Sequence, residues 1–161
     1  MASYQEHLDQ AKRNISFLIS VNQSIKNSWD WQVTACFYIS VHLVNAHIAK
    51  IADQHYRSHE QVKEALNPYI QLSLTKVDES TYLAYDKLQN LSRRSRYLCN
   101  DNITNKSTDA FFTYDVHLSK ALKNLDIIMN FISGTYKETF PKNALTCFDI
   151  KNSGLSHFEH K

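Results

Sequence analysis

The sequence predicts an all-α protein, an up-and-down bundle of four principal helices plus one short helix. Three observations carry that prediction. Glycine and proline number two each in 161 residues, too few for the turns that β-proteins need. Apolar residues recur at spacings of three and four over long stretches. Residues that start and stop helices bracket those stretches.

The first helix is expected over Tyr4–Ile25, where Tyr4, Leu8, Ala11, Ile15, Leu18 and Ile25 form a seam and Asn22 fills its remaining step. A short link, Lys26 to Trp29, implies that the next helix packs back as a hairpin. That second helix, Ser28 to Ala52, organises the chain, with Asp30 as its expected cap. Phe37, Val41, Val44 and Ile48 form an apolar stripe. One step round lie Tyr38, His42, Asn45 and Ala49, a phenol, an imidazole and an amide within an otherwise core-like helix. Buried polar groups need partners, so this row is the first candidate site.

Ser58 opens a capping box with Gln61, and a short helix should run to about Leu66, before Pro68. Residues 69–76 read as helix or turn. Val77–Leu98 is the next helix, capped by Asp78 or Ser80, with Tyr82, Tyr85, Leu88 and Leu91 buried. A polar loop follows over Asn100–Ser107. The last helix should start at Thr108 or Asp109 and stop at Gly134, with Phe111, Tyr114, Leu118, Leu125, Ile128 and Ile132 as its seam. The bundle therefore occupies residues 1–135. Residues 136–161 form a tail, partly docked or flexible.

The formal net charge is +2, which argues against non-specific binding to bulk nucleic acid but not against a local basic site. Four of the five arginines lie between Arg57 and Arg96. Arg93, Arg96 and Tyr97 share a helix face, whereas Arg94 points elsewhere, towards solvent. Forked guanidinium donors suit phosphate. They also complement a helix C-terminus, or pair with Asp30 or Glu60.

Cys36, Cys99 and Cys147 are odd in number and match no metal-ligand spacing. His42, His55 and His59 match none either, so no metal and no cofactor is expected. No signal pattern and no apolar run of membrane-spanning length stands out, so the expectation is a cytoplasmic protein without a membrane partner. Gly-rich phosphate loops and GxSxG, HExxH and paired-carboxylate signatures are absent from the sequence. Any chemistry must come from His, Arg, Tyr and Asn. His42 is either a hydrogen-bonded core residue, with Tyr38 and Asn45 as its partners, or a base or phosphate ligand. His59 follows a helix cap.

Asp30, Trp31, Phe37, Tyr38, His42 and Ala46 make the string DW-x6-FY-x3-H-x3-A. Ser58-His59-Glu60 follows, and then Tyr85, Leu88, Ser92, Arg93, Arg96 and Tyr97. Together they resemble bacterial proteins of the HEPN superfamily (higher eukaryotes and prokaryotes nucleotide-binding) over roughly residues 5–133. The resemblance implies a bundle of four to five helices, often a homodimer. It implies roles around RNA or nucleotides: ribonuclease toxins, defence proteins and non-catalytic binding relatives. Active ribonucleases of that family carry an Arg followed, after four to six residues, by a His. Here the window after Arg93, Arg94 and Arg96 holds Leu98, Cys99, Asn100, Asp101, Asn102 and Ile103, with no His.

Three functions are therefore weighed. The first is an RNA or nucleotide-phosphate binder, with Arg93, Arg96 and Tyr97 on the ligand and Asp30, Tyr38 and Asn45 in support. The second is a metal-independent endoribonuclease with a rearranged site, using His42 or His59 as base. The third is a dimerisation or scaffold module with a protein partner, whose polar groups form an internal network.

Overall fold

A computed structural model describes residues 2–25, 27–56, 58–98 and 110–161. Lys26, Arg57, Cys99, the polar loop expected at 100–107 and the expected caps Thr108 and Asp109 lie outside the described residues. The described chain is mostly helical: α1 Tyr4–Ser24, α2 Trp29–Ala52, α3 His59–Leu66, α4 Glu79–Tyr97 and α5 Asp115–Tyr136. A short C-terminal layer follows, with β1 Asn143–Leu145, a 3₁₀ turn Phe148–Ile150 and β2 Phe158–His160. The two strands pair in parallel, Asn143 opposite Phe158 and Leu145 opposite His160.

Helix α2 packs against all four other helices. Its buried surface is wider than the expected stripe, with Val33, Cys36, Phe37, Ile39, Leu43, Val44, Ala46 and Ile48 all buried, while Tyr38 and His42 of the second face stay open. It is also long and apolar enough to cross a membrane by length and composition, which the sequence reading did not expect of any segment. Most of that apolar surface is buried inside the bundle. Helices α1 and α2 run antiparallel, since His7 meets His42 at one end and Asn22 bonds Gln32 at the other.

Local signals explain most boundaries. Ser3 caps α1 in a complete capping box with Glu6. Ser58 Oγ accepts from the Gln61 N–H at 3.2 Å and starts α3. Asp78 accepts from the Thr81 N–H at 3.0 Å and starts α4. Several expectations are corrected. Asp30 does not cap α2; it lies in the first turn, after Ser28. Ile25 leaves the α1 seam and is exposed, because the helix ends at Ser24. Residues 69–76, expected as helix or turn, form turns, with Leu72 and Leu74 exposed.

Helix α5 starts at Asp115, so Phe111 is buried ahead of it and Tyr114 stands exposed at its cap position. Nor does Gly134 stop α5, which continues to Tyr136 and ends on a left-handed Lys137. Tertiary contact outweighs the modest helix penalty of one glycine: Tyr136 Oη lies 2.6 Å from His47 Nδ1, and its ring meets that of Tyr4.

Residues beyond 136 are not bare tail. Phe140, Leu145, Cys147, Ile150 and Phe158 join the main core. Asn22 of α1 holds this layer by accepting from the Thr146 N–H at 2.8 Å. Asp126 of α5 holds it from the other side, accepting from the His157 N–H at 2.8 Å and the Ser156 N–H at 3.1 Å.

Candidate functional site

Two adjoining hollows open along α2. The larger, about 370 Å³, lies between α1 and α2 and is lined by Gln10, Asn14, Phe17, Trp31, Thr34, Ala35, Tyr38 and His42. The smaller, about 230 Å³, lies between α2 and α4 and is lined by Asp30, Trp31, Thr34, Ser95, Arg96 and Tyr97. Trp31 and Thr34 belong to both, so the hollows form one groove divided by the Trp31 ring, which is 61% exposed. The Thr34 hydroxyl is buried at this seam without a hydrogen-bond partner among the described residues. Such a group is normally satisfied by water or a ligand.

Helix spacing builds the groove. Trp31, Thr34, Ala35, Tyr38 and His42 are one α2 face at steps of three and four. Gln10, Asn14 and Phe17 are the facing row on α1, together with His7. No residue of α1 entered the sequence-based site. The signal was present: His7, Gln10, Asn14 and Phe17 each precede a core residue, Leu8, Ala11, Ile15 and Leu18. The row thus flanks the seam.

Arg96 is the cation in the smaller hollow. Its guanidinium carbon lies 5.3 Å from the Tyr97 ring centre and 6.0 Å from that of Tyr38, within cation–π range. Its Nε donates to Ser92 O at 3.3 Å. The two Nη groups make no hydrogen bond or ion pair among the described residues. The pairing with Asp30 or Glu60 weighed from sequence is not formed by Arg96. Arg93 is exposed on α4 and lines neither hollow. Arg94 does not point into solvent as expected; it stacks over Phe111, 4.1 Å from the ring centre.

His59 stands behind Tyr38, with its ring edge-on to Phe37 at 5.0 Å and to Tyr38 at 6.4 Å. Burial, and then the nearby Arg96 charge, hold its pKa below the usual histidine value. The structure thus brings Arg96 and His59 to Tyr38, which lines the larger hollow together with His42, while His59 lines neither hollow.

His42 has neither Tyr38 nor Asn45 as its partner. Its Nδ1 lies 3.2 Å from His7 Nδ1. Asn45 donates to the Val41 carbonyl at 2.8 Å, and its Oδ1 is buried without a partner among the described residues. It lines neither hollow, because it sits a further turn along, where the neighbouring helices close over α2. Among the described residues, no group of three or more His, Cys, Asp or Glu is arranged to hold a metal ion.

His7 is buried, and desolvation followed by repulsion from His42 and His55 pushes its pKa down to about 4. The unfolded chain protonates this residue near the ordinary value and the folded chain only near 4. Between those values the unfolded state binds more protons, so acid favours unfolding. Urea unfolding at about pH 7.5 and about pH 5 should show a stability loss on the order of 2 kcal/mol on acidification. His7→Gln should shrink that loss; an unchanged pH slope would mean that His7 is not the group responsible.

No family model, curated protein or solved structure matches the chain.

Proposed function

We propose that this protein binds RNA or a nucleotide phosphate along the α2 groove, on a HEPN-like bundle. The observation that carries the reading is Arg96, held against Tyr38 and Tyr97 with both Nη groups unengaged among the described residues, beside an exposed Trp31. Phosphate takes forked donors, and bases stack on aromatic faces. Phe17, Trp31, Tyr38 and Tyr97 supply faces along one path, and a single local cation fits a chain of low net charge better than a broad basic surface does.

The test is fluorescence anisotropy with a short labelled single-stranded RNA, with Trp fluorescence read in parallel. Trp31→Ala should weaken binding about tenfold or more, since stacking on one aromatic is worth about 1–3 kcal/mol per base. Arg96→Ala should weaken it further and lower the salt slope by about one. Unchanged affinity in the folded Arg96→Ala variant sinks the proposal. The scaffold reading draws on the same exposed aromatics as a face for a second copy, as in the homodimer that the resemblance implies. Sedimentation of Trp31→Ala separates the two: loss of dimer mass with no RNA effect favours the scaffold.

A further inference from the structure

Three imidazoles meet in a line at the His42 end of the groove. His7 Nδ1 lies 3.2 Å from His42 Nδ1, and His7 Nε2 lies 3.2 Å from His55 Nδ1. The ring centres are 5.5 Å and 5.2 Å apart. Each ring nitrogen sits about 1.2 Å from its centroid, so rings joined in line through their nitrogens have centres about 5.5 Å apart. The rings therefore meet edge to edge through nitrogens rather than face to face. His7 gives a different nitrogen to each neighbour, so the three do not converge on one ion.

Position along the line matters as much. His42 lines the groove, and its Nε2 has no hydrogen bond among the described residues. His7 is 4% exposed, and His55 is exposed on the link after α2. The chain runs from the groove through a buried ring to solvent.

A neutral imidazole donates from one nitrogen and accepts at the other. Two arrangements satisfy both links. In one, His42 Nδ1–H donates to His7 and His7 Nε2–H donates to His55, which leaves the lone pair of His42 Nε2 free to accept. In the other, both donations are reversed. The arrangements differ by one proton gained at His42 Nε2 and one lost at His55 Nε2.

We infer that His7, His42 and His55 form a proton relay in which His42 Nε2 accepts a proton from a hydroxyl of the groove ligand and His55 releases one to solvent. This rests on the RNA reading, where the hydroxyl is a ribose 2′-OH. Its O–H bond breaks and an N–H bond forms at His42 Nε2. His42 Nδ1–H passes to His7, His7 Nε2–H passes to His55, and His55 Nε2–H passes to water. The 2′-oxygen keeps the electron pair and bonds to the adjacent phosphorus as the P–O5′ bond breaks, and the departing 5′-oxygen takes a proton from water. Burial disfavours charge on His7, so it passes protons rather than storing them. His42 touches substrate; His7 and His55 are positioning residues.

The relay is tested first without ligand. Long-range ¹⁵N–¹H imidazole spectra of the folded protein and of His55→Ala are compared at about pH 7.5. The expected result is a shift of the His42 tautomer balance, although His55 does not touch His42. Identical His42 spectra overturn the relay. Single-stranded RNA in chelator is then assayed for binding and cleavage. His42→Ala should cut cleavage about 100-fold or more, as loss of a general base does, and His55→Ala about tenfold, with binding kept and 2′-deoxy substrate uncut. Coupled tautomers with no RNA binding overturn the RNA reading and leave the relay standing. Binding with uncoupled tautomers overturns the relay alone. Binding and coupling with no cleavage overturn the role of His42 as proton acceptor.

Discussion

Asp126→Ala should destabilise the protein by about 4 kcal/mol, since each buried donor left unpaired costs about 1–3 kcal/mol. Asp126 is buried on α5 and serves four donors. Its Oδ1 accepts from the His157 N–H at 2.8 Å and lies 3.0 Å from His157 Nδ1. Its Oδ2 accepts from the Ser156 N–H and from Asn130 Nδ2, each at 3.1 Å. Alanine leaves the backbone donor of His157 buried and unpaired. The C-terminal layer should then detach, as Phe158 and Leu145 lose their seat. The melting temperature should fall by roughly 12 °C for a domain of this size, and limited proteolysis should cut first beyond residue 136. Asp126→Asn keeps the Oδ1 acceptor but turns an amide against the Ser156 N–H, so its loss should be intermediate. A fall of only a degree or two in Asp126→Ala would show that Asn22 and the apolar contacts hold the layer unaided.

Phe37→Ala should cost about 4 kcal/mol, as a fully buried ring leaves a cavity that its neighbours fill only in part. Phe37 sits on α2 between α3 and α4, 5.0 Å from the His59 ring and 5.9 Å from that of Tyr85. It also supports the site, because His59 and Tyr38 lean on it and Tyr38 faces Arg96. Urea unfolding reads the stability loss. The same variant should bind RNA more weakly under conditions where it is folded, although Phe37 lines neither hollow. Phe37→Leu fills most of the volume and should lose less on both counts. Weaker stability with full affinity would mean that the groove does not depend on this ring.

The helices were legible because their signals are local. The seam Leu8, Ala11, Ile15 and Leu18 is buried as its spacing implied, and Ser58 and Asp78 cap the helices that follow them. Boundaries failed where distant contacts competed with local preference. Gly134 reads as a stop, but Tyr136 is pinned to His47 and Tyr4 from other parts of the chain. The docked tail was among the expectations, but its two strands were hidden for a related reason. Strands of three residues carry no usable periodicity, and their stability comes from Asn22 and Asp126, both far away in sequence.

The site divides along the same line. Spacing placed Tyr38 and His42 on one turn-to-turn row, and they line one hollow. Spacing could not say what faces that row, so Asn45 was grouped with it and His7 was overlooked. By itself the sequence determined the helical class, most helix positions and the Arg-rich end of α4, since each depends on residues three or four apart. Only the tertiary structure decided that Arg96 meets Tyr38, that the His42 imidazole meets His7, and that Trp31 divides one groove into two hollows. Those pairings depend on the register in which α1 and α4 pack across α2, and that register is set by the shape of the whole core rather than by any local run of residues.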